Sequence, residues 1–153
     1  MDTASREHRI VVGIDGSPRS RAALRWAMEE ARGHTAVVRA VELTAPSPER
    51  LVPAAAMGLN PYGGPPRPRE RTDAQRLADL VAETAAQVDH APPVVDTVVP
   101  GHRGRELARI AEDADLLVIG AHHHPTHVST GVGAFAADLL RHATCPVVIV
   151  PAV

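Results

Sequence analysis

The sequence predicts an α/β protein in which helices cover both faces of a parallel sheet. Short runs of consecutive apolar residues recur along the chain, and stripes of apolar residues at helical spacing lie between them. Their order is β-α-β-(loop)-α-β-α-β-α-β. A strand apolar at successive positions is buried on both faces. Strands that alternate with helices build a parallel sheet through crossover connections. The 153 residues suffice for one domain with a substantial core, and no internal repeat divides them.

Each element has its own signal. Met1–His8 reads as a polar tail, so the domain is expected over 9–153. Arg9–Ile14 is the first strand. Ser17 supplies a capping hydroxyl and Pro18 a preset helical φ. Leu24, Ala27, Met28 and Ala31 then form the stripe of a helix that Gly33 is expected to close. Thr35–Glu42 is the second strand. The stretch 44–71 contains seven prolines and three glycines, which neither continue a helix nor complete a ladder. It reads as a mobile connection with at most one helical turn near Ala54–Met57. Leu77, Leu80, Val81, Thr84 and Val88 share a helical face, and Val94–Val99 is the third strand. Leu107, Ile110, Ala111 and Ala114 mark the next helix, followed by the strand Asp115–Gly120. Val132, Phe135, Ala136, Leu139, Leu140 and Ala143 are expected to form the apolar stripe of the last helix. Pro146–Val150 is the final strand, ended by Pro151.

Composition removes several classes of function. All 16 basic residues are arginine, which excludes the Gly-Lys-Ser/Thr phosphate loop and Schiff-base lysine chemistry. A net charge of −2 leaves no bulk footprint for nucleic acid. One cysteine, Cys145, forbids an intramolecular disulfide and fits a reducing compartment. No apolar run approaches the roughly 18 to 20 residues of a membrane span, and Met1–His8 lacks an apolar signal core. The expectation is a soluble, cytoplasmic domain without membrane or nucleic-acid partners.

In open parallel sheets, ligands bind beyond the carboxyl ends of strands where the strand order reverses. Two segments of this chain stand at such ends. Asp15, followed by Gly16 and Ser17, suits a ribose hydroxyl or a metal, and equally suits an Asx-turn at a helix start. The segment Gly120–Ala134 carries Ser129, Thr130, Gly131 and Gly133 ahead of a helix. Hydroxyls and close backbone approach of this kind can hold a phosphate without lysine, and can equally be an ordinary cap.

From about His8 to Val153 the chain resembles the universal stress protein family. The resemblance rests on Val11-Val-Gly-Ile-Asp-Gly-Ser17 with Ala22-Ala-Leu-Arg-Trp-Ala27, on Asp115-Leu-Leu-Val-Ile-Gly120, and on Leu140-Arg-His-Ala-Thr-Cys-Pro-Val-Val-Ile-Val-Pro151. It implies a Rossmann-like, adenine-nucleotide alpha-hydrolase-like fold whose five-stranded parallel sheet has the order 3-2-1-4-5. It also implies homodimers joined through the last strand and, in one branch, bound ATP with its Mg²⁺. The family motif Gly-x2-Gly-x9-Gly-Ser/Thr falls at positions 120, 123, 133 and 134. Gly120 and Gly133 match, whereas His123 replaces a glycine and Ala134 a hydroxyl. A lost hydrogen bond to a charged partner is worth roughly 1.5–3 kcal/mol, about ten- to a hundredfold in affinity. Thr130, Ser129 or Gly131 are the candidate substitutes. By position, Asp15 matches the acidic residue at the nucleotide, and Val41 falls where backbone meets adenine.

Three functional readings follow. The first is a stress-associated regulatory domain binding ATP or AMP through a degenerate phosphate loop. The second is a dimeric interaction module without nucleotide, paired through the apolar, lysine-free edge Pro146–Val150. The third is metal capture by His122, His123, His124 and His127, although consecutive histidines cannot all face one ion and no carboxylate or thiol in the loop completes the set. No nucleophile elbow or spaced catalytic set is present, so an enzyme is not expected. Cys145 reads as an inert thiol, His142 as a helix-dipole partner, and Arg103, Arg105 and Arg109 as solvated charges.

Overall fold

The computed structural model describes residues 6–44, 72–121 and 133–151. Within them the chain runs β1 (His8–Ile14), α1 (Pro18–Ala31), β2 (Ala36–Thr44), α2 (Asp73–Ala85), β3 (Val94–Pro100), α3 (Gly104–Ile110), β4 (Leu116–Gly120), α4 (Ala134–His142) and β5 (Val147–Val150). The five strands form one sheet of order β3-β2-β1-β4-β5, and every neighbouring pair is parallel. The order therefore reverses between β1 and β4, as the resemblance implied. Pro-rich residues 45–71 and the histidine tract 122–127 lie outside the described residues.

Strand alternation divides the core into two layers. Ile10, Val12 and Ile14 of β1 pack with Leu24, Met28, Leu77 and Leu80, so α1 and α2 share one face. Val11, Val41, Leu117 and Ile119 pack with Leu107, Ala111, Ala136 and Leu139, which places α3 and α4 on the other. With so few aromatic residues, interdigitated aliphatic chains and Met28 make up the buried apolar interior among the described residues, with Ser20 and Thr84 as the buried polar side chains.

Local chemistry sets the helix starts. Ser17 Oγ accepts from the Ser20 N–H at 3.2 Å, with Pro18 at the first helical position. At α2, Thr72 Oγ1 accepts from Gln75 N at 3.2 Å and Gln75 Oε1 from Thr72 N at 3.0 Å, a reciprocal capping box. Glu106 Oε2 accepts the backbone N–H groups of His102 and Arg103 at 2.6 and 2.7 Å ahead of α3.

The structure departs from the sequence expectation at identifiable places. β1 begins at His8, inside the stretch read as a tail, because the His8 N–H reaches Thr35 O at 2.8 Å and its ring stacks on His34 at 5.5 Å. Thr44 belongs to β2 rather than to the loop, since it pairs with Pro100, and β3 accordingly runs one residue past Val99. Gly33 is not a left-handed cap: α1 ends through the right-handed Arg32, and Gly33 is absent from the positive-φ glycines among the described residues. Phe135 and Leu140 are 40% and 45% exposed rather than core, because α4 turns only Ala136 and Leu139 fully inward. Arg105 is not merely solvated. Its backbone N–H and Nε reach Asp138 Oδ2 at 2.9 and 3.2 Å, and its Nη2 reaches Oδ1 at 3.0 Å.

That fork joins α3 to α4 where their backbones meet. A Cβ on Gly104 would overlap the Phe135 carbonyl oxygen and the Leu139 nitrogen. Gly104→Ala should therefore cost about 1–3 kcal/mol in urea unfolding, as overpacking does. Gly33→Ala, whose Cβ would meet only Glu30 O at 3.8 Å, should be neutral or stabilising by up to about 1 kcal/mol. Equal effects would contradict the close approach.

Candidate nucleotide site

The carboxyl ends of β1 and β4 diverge at the order reversal and open a cavity of about 610 Å³ on the α3/α4 side. Gly13, Ile14 and Asp15 form one wall, and Val41 and Leu43 of β2 the next. Ile119 and Gly120 close the β4 side, Gly101 and His102 come from the turn after β3, and Gly133–Ala136 from the start of α4. The size falls within the range of small-molecule sites.

Each wall has a local cause. Gly16, at φ +81°, turns the chain out of β1. Asp15 Oδ1 accepts the Ser17 N–H at 2.8 Å, so the carboxylate also braces the α1 entry. Partial burial pushes Asp15 upward, but hydrogen bonds from Ser17 and Ser20 and the nearby Arg19 charge outweigh it and leave Asp15 below its usual range. It is therefore an ionised acceptor at neutral pH. A Cβ on Gly120 would lie 2.7 Å from the Arg19 carbonyl carbon and oxygen, so only glycine lets the end of β4 meet the first turn of α1. Gly133 occupies φ +86° and caps α4 without a side-chain hydrogen bond. The first-turn backbone of α4 thus borders the cavity with no capping side chain of its own.

Of the residues singled out from sequence, Asp15, Val41, Gly120, Gly133 and Ala134 come together around this cavity. His123, Thr130 and Gly131 lie outside the described residues, as do His122, His124, Ser129 and His127. Val41 is 1% exposed and sits within the ladder, opposite Gly13 and Thr97. β2 continues three residues beyond it, so Leu43 brings a second side chain to the same wall. Sequence reasoning passed over Gly101, His102 and Arg19. The Gly101-His102 turn follows a strand's carboxyl end just as Asp15-Gly16 does, and that shared position was the available signal. Among the described residues no group of three or more His, Cys, Asp or Glu could hold a metal ion. Cys145 is half-buried with Sγ 3.7 Å from Ala111 O, and burial pushes its thiol upward. His142 Nδ1 lies 2.8 Å from Asp138 O in the last turn of α4.

Cavity and topology together define a doubly wound α/β protein with a cavity at the switch point, where such sheets bind their ligands. The universal stress protein family model matches residues 7–151, and the chain belongs to that family. It is 32% identical over 158 residues to the universal stress protein Rv2623 of Mycobacterium tuberculosis, covering 98% of this chain and 50% of that protein. The universal stress protein Rv1996 of the same organism is 27% identical over 154 residues, covering 93% of this chain and 47% of its own length. The chain thus spans about half the length of the curated relatives it matches. Among solved structures, UspA from Lactobacillus plantarum superposes with a TM-score of 0.67 at 22% identity, covering 95% of this chain and 98% of its own. A universal stress protein solved in complex with cAMP gives 0.67 at 25% identity, covering 94% and 96%. One from Archaeoglobus fulgidus in complex with dAMP gives 0.57 at 18% identity, covering 95% and 98%. No described helix is long and apolar enough to cross a membrane.

Glu42 lies on the opposite face of β2 from Val41 and Leu43. Burial raises its pKa and the Asp73 and Asp15 charges add to this, while Arg76, itself paired with Asp73, opposes them. A carboxyl raised in the folded state penalises folding at neutral pH, and the penalty disappears once both states are protonated. Glu42→Gln should raise the thermal midpoint at pH 7, and the gain should fade as pH drops through the titration of Glu42. Asp138 behaves oppositely. The Arg105 side chain, then its backbone N–H, holds it low, so its contribution is present above the unfolded-state pKa and is lost as pH falls through the folded one. A Glu42→Gln gain that persists undiminished in acid would contradict the assignment.

Proposed function

We propose that this chain is a stress-associated regulatory binding domain that takes an adenine nucleotide in the cavity at the β1/β4 switch point. The observation that carries the reading is the cavity's division into an apolar part and a polar part. Val41, Leu43 and Ile119 offer a slot for a flat base, while Asp15 and the first turn of α4 offer an ionised acceptor and backbone donors. In this reading the ribose hydroxyls donate to Asp15. Phosphate oxygens accept from the backbone of Gly133–Ala136, where the helix dipole favours an anion. ATP, accompanied by Mg²⁺, and AMP are the ligands considered from the resemblance. The related protein solved with cAMP supports the ligand class. Nothing in this reading requires a chemical step, so the domain binds rather than catalyses, and ATP incubated with it should be recovered intact.

Isothermal titration with AMP and ATP tests the reading. Asp15→Asn keeps an acceptor for the Ser17 N–H while removing the charge, and should weaken nucleotide about ten- to a hundredfold, the worth of a charge-assisted hydrogen bond. Unchanged affinity would remove Asp15 from the site.

A second reading, a homodimeric interaction module, is favoured by the outer edge of β5. Among the described residues this strand pairs with β4 alone, and Val147–Val150 are all only half-buried. An apolar edge without charge is a template for pairing. Light scattering should give a dimer mass with or without nucleotide, and a monomer at high protein concentration would overturn this reading.

A further inference from the structure

We propose that a shallow groove at the amino end of the sheet is a self-association surface, taking a second copy of this chain across a twofold axis. The inference is independent of the nucleotide reading and concerns a face other than the β5 edge. The groove holds about 300 Å³ on the α3/α4 side, at the lower limit for a small-molecule site. Its floor is apolar. Val95 of β3 stands in register beside Arg39 of β2, and Ile110 borders them from the end of α3. Val95 is 53% exposed, more than any other large apolar side chain among the described residues. This corner of the sheet is therefore bare of helix, and covering such apolar surface is favourable.

Four charged side chains ring that floor: Arg9 and Arg39 from the strands, Glu7 ahead of β1, and Asp113 after α3. Among the described residues none of the four enters an ion pair, although both signs line one groove. Arg39 is half-buried in the middle of β2, between Val38 and Ala40, which are both 0% exposed. A guanidinium held there has lost part of its water without gaining a carboxylate.

Charge decides the partner. A nucleic acid or an anionic membrane would satisfy the arginines but set its phosphates against Glu7 and Asp113. A basic partner would meet the opposite conflict. A copy of the groove turned about a twofold axis avoids both, because such a contact is self-complementary. Arg9 and Arg39 of one protomer then face Glu7 and Asp113 of its partner. Val95 and Ile110 form the centre, in the apolar-core and polar-rim arrangement of protein interfaces. β3 and β5 are opposite edges of the sheet, so a protomer can hold this contact and the β5 pair together.

Charge reversal, read by sedimentation of the full chain, is the test. One variant carries Arg9→Glu with Arg39→Glu, the other Glu7→Arg with Asp113→Arg. Each alone sets like charges face to face and should weaken the contact at least about tenfold, lowering the assembly to about half the natural mass. Mixed in equal amounts, the two should recover the natural mass, since each supplies the charges the other needs, and recovery reports that both are folded. Val95→Glu, at the exposed centre, should lower the mass by itself and serves where a reversed pair fails to fold. A natural chain no heavier than these variants would overturn the inference, and so would a mixture that stays at the mass of its parts. A dimer that persists in every variant would overturn the groove contact while leaving the β5 reading intact. A natural dimer that falls to monomer would support the groove and overturn the β5 reading.

Discussion

Close approach of backbones at two glycines sets the geometry of the rest. At Gly120 the end of β4 touches the first turn of α1, and at Gly104 the start of α3 touches the first turn of α4. Neither contact admits a Cβ. Between them these junctions bring the starts of α1, α3 and α4 to the same end of the sheet, where β1 and β4 part. The cavity is what remains when tightly seated helix starts surround a sheet whose strand order has just reversed.

Electrostatics follow from the same arrangement. Carboxylates serve as internal caps: Glu106 for the turn before α3, Asp138 for Arg105 on the neighbouring helix, Asp115 for the Arg9 N–H at the foot of the sheet. Each is held low by the hydrogen bonds it accepts, so each supports the fold at neutral pH and withdraws that support in acid. Asp15 belongs to this group yet lines the cavity, so one residue braces a helix and turns charge toward the open space. Glu42 runs against the trend because its neighbours Asp73 and Asp15 are also acids.

The strands and helices were legible because their signals are local. Ser17-Pro18 announced α1, and the run Asp115–Gly120 announced the strand that the fold forms over Leu116–Gly120. Errors fell where a long-range contact overrode the local pattern. His8 joined β1 because Thr35 offered its carbonyl, and Phe135 and Leu140 stayed exposed although their spacing matched a core stripe. Arg105 looked like any solvated arginine until the fold placed Asp138 opposite it, 33 residues away in sequence. In the site, Asp15, Gly120 and Gly133 could be named from position in a motif. His102 and Arg19 could not, since neither carries a pattern that distinguishes a cavity wall from an ordinary surface.

By itself the sequence determined the alternation of elements, the aliphatic character of the interior and the absence of lysine chemistry. These are properties of residues and their near neighbours, written into local spacing and side-chain type. Only the tertiary structure decided which strand ends part to form a cavity, which residues of three separate turns meet there, and which carboxylates are held ionised. Those outcomes depend on groups far apart along the chain being brought within hydrogen-bonding or van der Waals reach, and no local pattern encodes that distance.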